Sequence, residues 1–313
     1  MVEAMIHFAF HRPPLRNLSV EKILNTAFSV QNYVESFPHI FSENSGALVA
    51  TASNAKGEVK GMCAIDSEFW SEPTFLRGAC IGSVAVAPEH QGQGLGRELL
   101  KWVLDQLSSA QLHDFIYLFS QPRSFYTDLG FVAAGNEGLY TFRPTNRRIT
   151  LPAGIHLAKP REVSGLDEAA RKQLWCALER GRKYGESHAS WGKFEGLCTV
   201  SGLLVSWLEG SDGRMLAGAF VGKGIDFQGV MHTCFAESEA MAELFFNIFL
   251  QNYRELSKEL LIAPGLWLNS IESFLVYSQS QVLCLVHGLQ TPTERCVEWL
   301  ATGKVYPRSL FSS

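Results

Sequence analysis

One segment constrains this chain more than any other: Ile81-Gly-Ser-Val-Ala-Val-Ala-Pro-Glu-His-Gln-Gly-Gln-Gly-Leu-Gly-Arg97. A strand-forming run ends at Pro88, which has no N–H to give a ladder. Gly92, Gly94 and Gly96 follow, and a helical pattern runs from about 95 to 108. Alternating glycines cost backbone entropy, so they mark a place where the chain turns sharply or meets a ligand closely. The helix start adds unpaired N–H groups and the positive end of a dipole. Strand, glycine loop and helix together make a cradle for an anion such as pyrophosphate.

The rest of the chain gives that junction a setting. At roughly 100–200 residues per domain, 313 residues predict two domains. With 46% hydrophobic and 19% charged residues the chain can fill two cores, which excludes a disordered protein. Residues 1–150 hold 12 basic and 14 acidic side chains and the remainder 15 and 17, so neither half is basic and DNA is not an expected partner. No apolar run approaches the roughly 18 residues of a spanning helix, and Glu3, His7, His11 and Arg12 leave no apolar signal segment. Seven widely spaced cysteines without a CxxC pair fit a reduced compartment, so a cytoplasmic protein without membrane contact is expected. His232 and Cys234 stand alone, so no metal site is expected.

Periodicity predicts two runs of alternating elements. The first has a helix over 19–28, with Val20, Ile23, Leu24 and Ala27 on one face behind a Ser19 cap, then a hairpin of 47–52 and 59–65. A strand over 79–87, the helix after the glycines, a strand over 115–119, a short helix near Pro122 with Ser120 as its cap, and a strand over 130–142 complete it. The proline-bounded stretch from Pro144 to Pro152 reads as a linker. The second run predicts a helix over 166–180, strands over 203–208, 214–221 and 228–235, and a helix over 237–253. A strand over 259–263, a helix near 269–279, a strand over 281–287 and a helix from Pro292 to about 302 follow. Residues 99–120 and 244–265 share one pattern of amphipathic helix, polar turn and apolar strand, which suggests an internal repeat with domains at 1–146 and 152–313.

Three glycine loops compete for the central motif. A Walker loop needs Gly-Lys-Ser/Thr, whereas Gly96 is followed by Arg97-Glu98. The dinucleotide fingerprint GxGxxG has the wrong spacing. Gln91-Gly92-Gln93-Gly94-Leu95-Gly96 resembles the Q/R-x-x-G-x-G/A loop of the GCN5-related N-acetyltransferases (GNAT), and Val84-Ala85-Val86-Ala87-Pro88 resembles that family's fourth strand. Ser124-Phe125-Tyr126-Thr127-Asp128-Leu129-Gly130-Phe131 resembles its FYxxxGF block. The resemblance is good over residues 46–133. It implies an α/β fold of two tandem GNAT-like domains, each a mixed, mostly antiparallel sheet flanked by helices.

It also implies acetyl transfer from acetyl-coenzyme A to a primary amine by direct attack. The pantetheine arm would lie along Val84, Ala85 and Val86, and the pyrophosphate on the N–H groups of Gln91, Gly92, Gln93, Gly94, Leu95, Gly96 and Arg97. Tyr126 would protonate the departing thiolate, which suits a phenol that is neutral at pH 7. Two positions depart from the family. Where some members carry a base, about eleven residues before the loop, this chain has Cys80; Glu68 is the expected base, with Asp66, Glu35 and His39 as alternatives. Phe119 replaces a frequent Asn, and Ser120 next to it would take over that contact. Arg147-Arg148 is a solvated linker pair or a contact for the 3′-phosphate. In the second half Phe235-Ala236-Glu237-Ser238-Glu239-Ala240 stands at the loop position without a glycine; two carboxylates repel a pyrophosphate, so this copy is expected not to bind coenzyme A. The aromatics Phe245, Phe246, Phe249 and Tyr253 read as core, as do Trp175, Trp191 and Trp207. A non-catalytic acyl-coenzyme A-binding module is the alternative function, and both a monomer and a homodimer fit.

Overall fold

Long apolar strands broken by short polar turns dominate the sequence, and they assemble into a single sheet of twelve strands. The computed structural model describes residues 5–16, 18–71, 75–120, 123–142, 149–181, 187–188, 190–224, 226–256, 259–262 and 275–302. The first half contributes β1 (His7–His11), β2 (Leu48–Ser53), β3 (Val59–Trp70), β4 (Leu76–Val86), β5 (Phe115–Leu118) and β6 (Val132–Phe142). The second contributes β7 (His156–Glu162), β8 (Leu204–Glu209), β9 (Met215–Lys223), β10 (Asp226–Ala236), β11 (Glu259–Ile262) and β12 (Leu275–Gly288).

Their order is β1-β2-β3-β4-β5-β12-β6-β11-β10-β9-β8-β7. Exchanging each strand for the one six places later returns the same order read backwards. The two halves are therefore one topology repeated about a pseudo-two-fold axis between β6 and β12. Each half lends its last strand to the other: β12 pairs with β5, and β6 pairs with β11. β4–β5 and β10–β11 are parallel, and the remaining pairings are antiparallel.

Helices cover both faces. On one lie α4 (Leu95–Ala110) and α5 (Arg123–Thr127); on the other lie α1 (Leu18–Phe28), α2 (Tyr33–Ser36) and α3 (Pro38–Phe41). α4 buries Leu95, Leu99, Leu100, Val103, Leu104 and Leu107, a spacing that follows the helical repeat. Each such side chain stabilises by about 1.5–3 kcal/mol relative to exposure. The second half is covered by α6 (Glu168–Arg180) and α7 (Trp191–Leu197) on one face and α8 (Glu239–Tyr253) on the other. α9 (Thr293–Ala301) seals the core around Trp70, Tyr117 and Cys284.

Several expectations shift. Residues 275–279 are strand, not the end of a helix, because β12 is fourteen residues long and its early part pairs with β6. β1, β7 and α7 lacked a clear periodic signal: β1 and β7 are sheet edges and alternate weakly. α1 begins at Leu18, so Ser19 lies inside it, and Ala27 is exposed while Val20, Ile23 and Leu24 are buried. Pro122 and Arg147-Arg148 lie outside the described residues, as does most of the linker.

α7 joins the halves on the α3 face. Gly192 and Gly196 stand one turn apart. A Cβ on Gly196 would come within 2.8 Å of the His39 Cα, and one on Gly192 would overlap the Asn44 carbonyl oxygen. Only hydrogen at these positions lets the two backbones approach so closely.

Candidate active site

The site starts from a strand that outruns its neighbour. β4 pairs with β5 over Gly78–Cys80 against Phe115–Tyr117. Beyond Cys80 it runs on to Val86 paired with β3 alone among the described residues. A gap therefore opens in the sheet along Ile81–Val86. A bulge bends β4 within this stretch: Met62 faces Ala85 and Ala64 faces Gly82, so Ser83 and Val84 together oppose Cys63. Ser83 sits at φ +51°, uncommon for a residue with a side chain, and its hydroxyl meets the buried Tyr33 hydroxyl at 3.2 Å. Sequence reasoning did not single out Tyr33.

The glycine loop follows at the mouth of the gap. Gly92 (φ +73°) and Gly94 (φ +87°) are left-handed, and a Cβ on either would meet open space. Gly94 is the N-cap of α4 and supplies no side-chain cap. Gln91 and Gln93 turn their amides back onto the Val86 and Glu89 carbonyls at 3.0 and 2.8 Å. The Gln91 N–H donates to the Pro88 carbonyl, which removes it from the expected anion donors. The N–H groups of Gly92 through Arg97 have no acceptor among the described residues. Gly96 is glycine for a different reason: a Cβ there would lie 3.2 Å from Val86 Cγ2. The Arg97 guanidinium pairs with Asp128 at 2.7 Å, which ties the first turn of α4 to the turn after α5.

On the α4 face of the gap lies Tyr126, 7% exposed and edge-on to Phe125 and Phe131. Burial raises its phenol pKa, and a hydrogen bond with the Ser120 side chain partly opposes that. The phenol is thus held protonated, the state a proton donor needs.

The opposite face carries the carboxylates. Side chains alternate along β3, so Asp66 and Glu68 point away from Tyr126 and share a face with Met62 and Ala64. Asp66 stands in register with Cys80, and Cys80 with Tyr117, so Asp66 lies beside the last β4–β5 pair before the gap. Both carboxylates are buried against the ammonium of Lys193 from α7, which contacts Asp66 and lies 3.3 Å from Glu68 Oε1. Burial pushes the Asp66 carboxyl up to about 6, with Lys193 pulling down and Glu68 pushing up. Burial alone would lower Lys193, but Asp66 and Glu68 outweigh it. His39, fully buried in α3, is held well below its usual pKa by burial and by Lys223 and Lys193. Its ring nitrogens find no partner among the described residues. Sequence reasoning missed Lys193; the Gly192-Lys-Phe-Glu-Gly196 spacing was the available signal.

The structure thus brings Val84, Ala85, Val86, the glycine loop, Ser120 and Tyr126 to one gap. Arg97 is engaged with Asp128, and Glu68 lies across the sheet. Glu35 is on α2, apart from the carboxylate cluster. No group of three or more His, Cys, Asp or Glu among the described residues could hold a metal ion. No helix among them is long and apolar enough to cross a membrane.

Comparison with known proteins agrees with this geometry. Residues 43–133 match the family model of the acetyltransferase (GNAT) domain. A GCN5-related N-acetyltransferase from Anabaena variabilis shares the fold at a TM-score of 0.65 and 16% identity, over 90% of this chain and 73% of that one. One from Kribbella flavida does so at 0.65 and 16%, over 94% and 74%. A tandem GNAT protein from the clavulanic acid biosynthesis pathway aligns at 0.53 and 10%, over 91% of this chain and 99% of that one. No curated protein matches the sequence.

Proposed function

From the premise that this chain belongs to the GNAT superfamily, we propose that it is an acyltransferase that moves an acetyl group from acetyl-coenzyme A to a primary amine. The observation that carries the reading is the run of N–H groups from Gly92 to Arg97, left without acceptors where the β4–β5 gap opens. A pyrophosphate would satisfy them. The pantetheine arm would take the place of the missing strand along Val84–Val86. The thioester would then lie in the gap, with Tyr126 on one face and the Asp66–Glu68 pair on the other.

The acceptor nitrogen attacks the thioester carbon, and the C–N bond forms as the C–S bond breaks. The departing thiolate takes the proton of Tyr126. The proton lost by the amine passes to the carboxylate pair. Asp66 suits this role better than Glu68. It lies beside Cys80, and a group with a pKa of about 6 is ionised at neutral pH yet still accepts a proton. The second half, lacking the loop, would wall the acceptor side. A cytoplasmic setting fits the free cysteines, Cys63, Cys80, Cys176, Cys198, Cys234, Cys284 and Cys296.

One observation favours a non-catalytic acyl-coenzyme A-binding module: both carboxylates are buried under Lys193. Calorimetric titration with acetyl-coenzyme A, with coenzyme A as control, tests the shared part of both readings. One site per chain is expected, and no binding overturns both. Thiol release by Tyr126→Phe separates them, because only the enzyme reading predicts a loss.

A further inference from the structure

The second half has no anion loop, yet it places a buried cation against the first half's carboxylates. We infer that Lys193 is a positioning residue for Asp66: the second half completes the first half's proton-accepting group across the α3–α7 contact. This rests on the reading above that the carboxylate pair takes the acceptor's proton.

Geometry carries the inference. Lys193 leaves α7 between Gly192 and Gly196, the two positions where its backbone lies against Asn44 and His39 of the first half. That close approach sets where the ammonium can reach. The ammonium meets Asp66 and Glu68 together, and all three side chains are almost wholly buried. Asp66 is the cross-strand neighbour of Cys80, where the gap begins. The groups around Asp66 come from six elements: Glu68 on its own strand, Cys80 on β4, Tyr117 on β5, His39 on α3, Lys193 on α7 and Lys223 on β9. The Tyr117 hydroxyl faces the Glu68 carboxylate, and both His39 ring nitrogens lack hydrogen-bond partners among the described residues, so the cluster retains polar capacity beyond the ion pair itself. Within this set Lys193 is the cation in direct contact with Asp66, and it orients the carboxylate while favouring its ionised form. A buried ion pair adds little net stability, so its position beside the gap asks for a role other than holding the halves together.

The test uses the full chain and two readouts. The first is an infrared pH titration of the buried protonated carboxyl, assigned to Asp66 by its loss in Asp66→Asn; it needs no acceptor. The wild-type midpoint is expected at about 6. Lys193→Met should move it upward by about 1–3 pH units, because an opposite charge in contact is lost. Lys193→Arg should keep it near the wild type, and Glu68→Gln should move it down. Should Lys193→Met fail to fold, the charge-balanced pair Lys193→Met/Glu68→Gln replaces it, with a midpoint expected above that of Glu68→Gln alone. The second readout is the acidic limb of kcat/KM for thiol release from acetyl-coenzyme A with 2-phenylethylamine, which should move with the midpoint.

A Lys193→Met midpoint equal to the wild type overturns the link between Lys193 and Asp66, and in the charge-balanced pair a midpoint equal to that of Glu68→Gln does the same. A midpoint that moves while the acidic limb stays fixed overturns the proton-accepting role of Asp66 instead. A limb that follows the midpoint in both directions supports the inference.

Discussion

Eight residues separate β4 from α4, but only two separate β10 from α8. These are the corresponding junctions of the repeat, and the difference decides how much room each leaves at the start of its helix. In the first, Gly92 and Gly94 turn the chain away, and the start of α4 has no side chain on its N–H groups. In the second, the Ser238 hydroxyl accepts the Met241 N–H at 3.3 Å and the Glu237 N–H donates to the Leu216 carbonyl. The end of α6 closes the remaining space: a Cβ on Gly181 would come within 2.8 Å of the Ala236 nitrogen. Glu237 pairs with Arg180 and Arg214 at 3.5 and 3.1 Å, so its charge is already answered. The expectation of repulsion at this position is thus joined by a steric cause. The repeat keeps the fold and closes with protein the space that stays open beside Gly92 and Gly94.

The largest expected effect breaks the first junction. Gly94→Glu places a carboxylate among the free N–H groups and a side chain at φ +87°. Acetyl-coenzyme A binding should fall at least about a hundredfold, near 2.7 kcal/mol, in a calorimetric titration. Stability should fall by only about 1–3 kcal/mol, from the backbone strain alone, because a Cβ at Gly94 meets open space. If binding survives, the ligand is not held at this loop and the contrast between the junctions loses its functional meaning.

Tyr126→Phe tests the chemistry next to the same junction. Removing a general acid costs about 10²–10⁴ in rate. The loss should appear in kcat, with affinity for acetyl-coenzyme A unchanged, in steady-state thiol release. An unchanged kcat would make Tyr126 a packed aromatic against Phe125 and Phe131 and nothing more.

Much of the first half was legible because its signals are local. Pro88, the alternating glycines and the Leu95–Leu107 spacing each dictate structure within a few residues. The gap itself has no local signal and only the family resemblance implies it, because it needs the β4–β5 register, a contact between residues far apart in sequence. The exchange of β6 and β12 was hidden for the same reason. A strand's pattern says which face is buried but not which strand lies beside it, and both strands read as ordinary last strands of their own half. Glu68 was visible as a carboxylate, but its partner Lys193 lies 125 residues away, in a segment without a clear periodic signal. Only the two glycines around it hinted at a buried face.

Those glycines give a prediction on how the halves meet. Gly196→Ala forces a methyl group to 2.8 Å from the His39 Cα, which is backbone and cannot swing aside. The expected cost is about 1–3 kcal/mol of stability, read from denaturant unfolding. It should also lower acetyl transfer more than coenzyme A binding, because α7 carries Lys193 while the loop lies elsewhere. Equal losses in both would show that the α3–α7 contact supports the whole first half rather than its carboxylate side.

The smallest effect belongs to the filled junction. Ser238→Ala removes the hydroxyl that accepts the Met241 N–H, and N-cap losses of this kind cost about 0.5–2 kcal/mol. The variant should unfold at lower denaturant, with an unchanged slope and unchanged acetyl-coenzyme A affinity. Stability should fall because the N–H groups of α8 are satisfied from within the chain, and losing that acceptor leaves a donor to water. α4 offers no counterpart to remove: Gly94 caps it in a left-handed conformation where a serine hydroxyl would not reach the helix as Ser238 does from its extended backbone. A Ser238→Ala protein as stable as the wild type would mean that α8 does not depend on its cap, and that the packing of α6 on Ala236 alone distinguishes the two junctions.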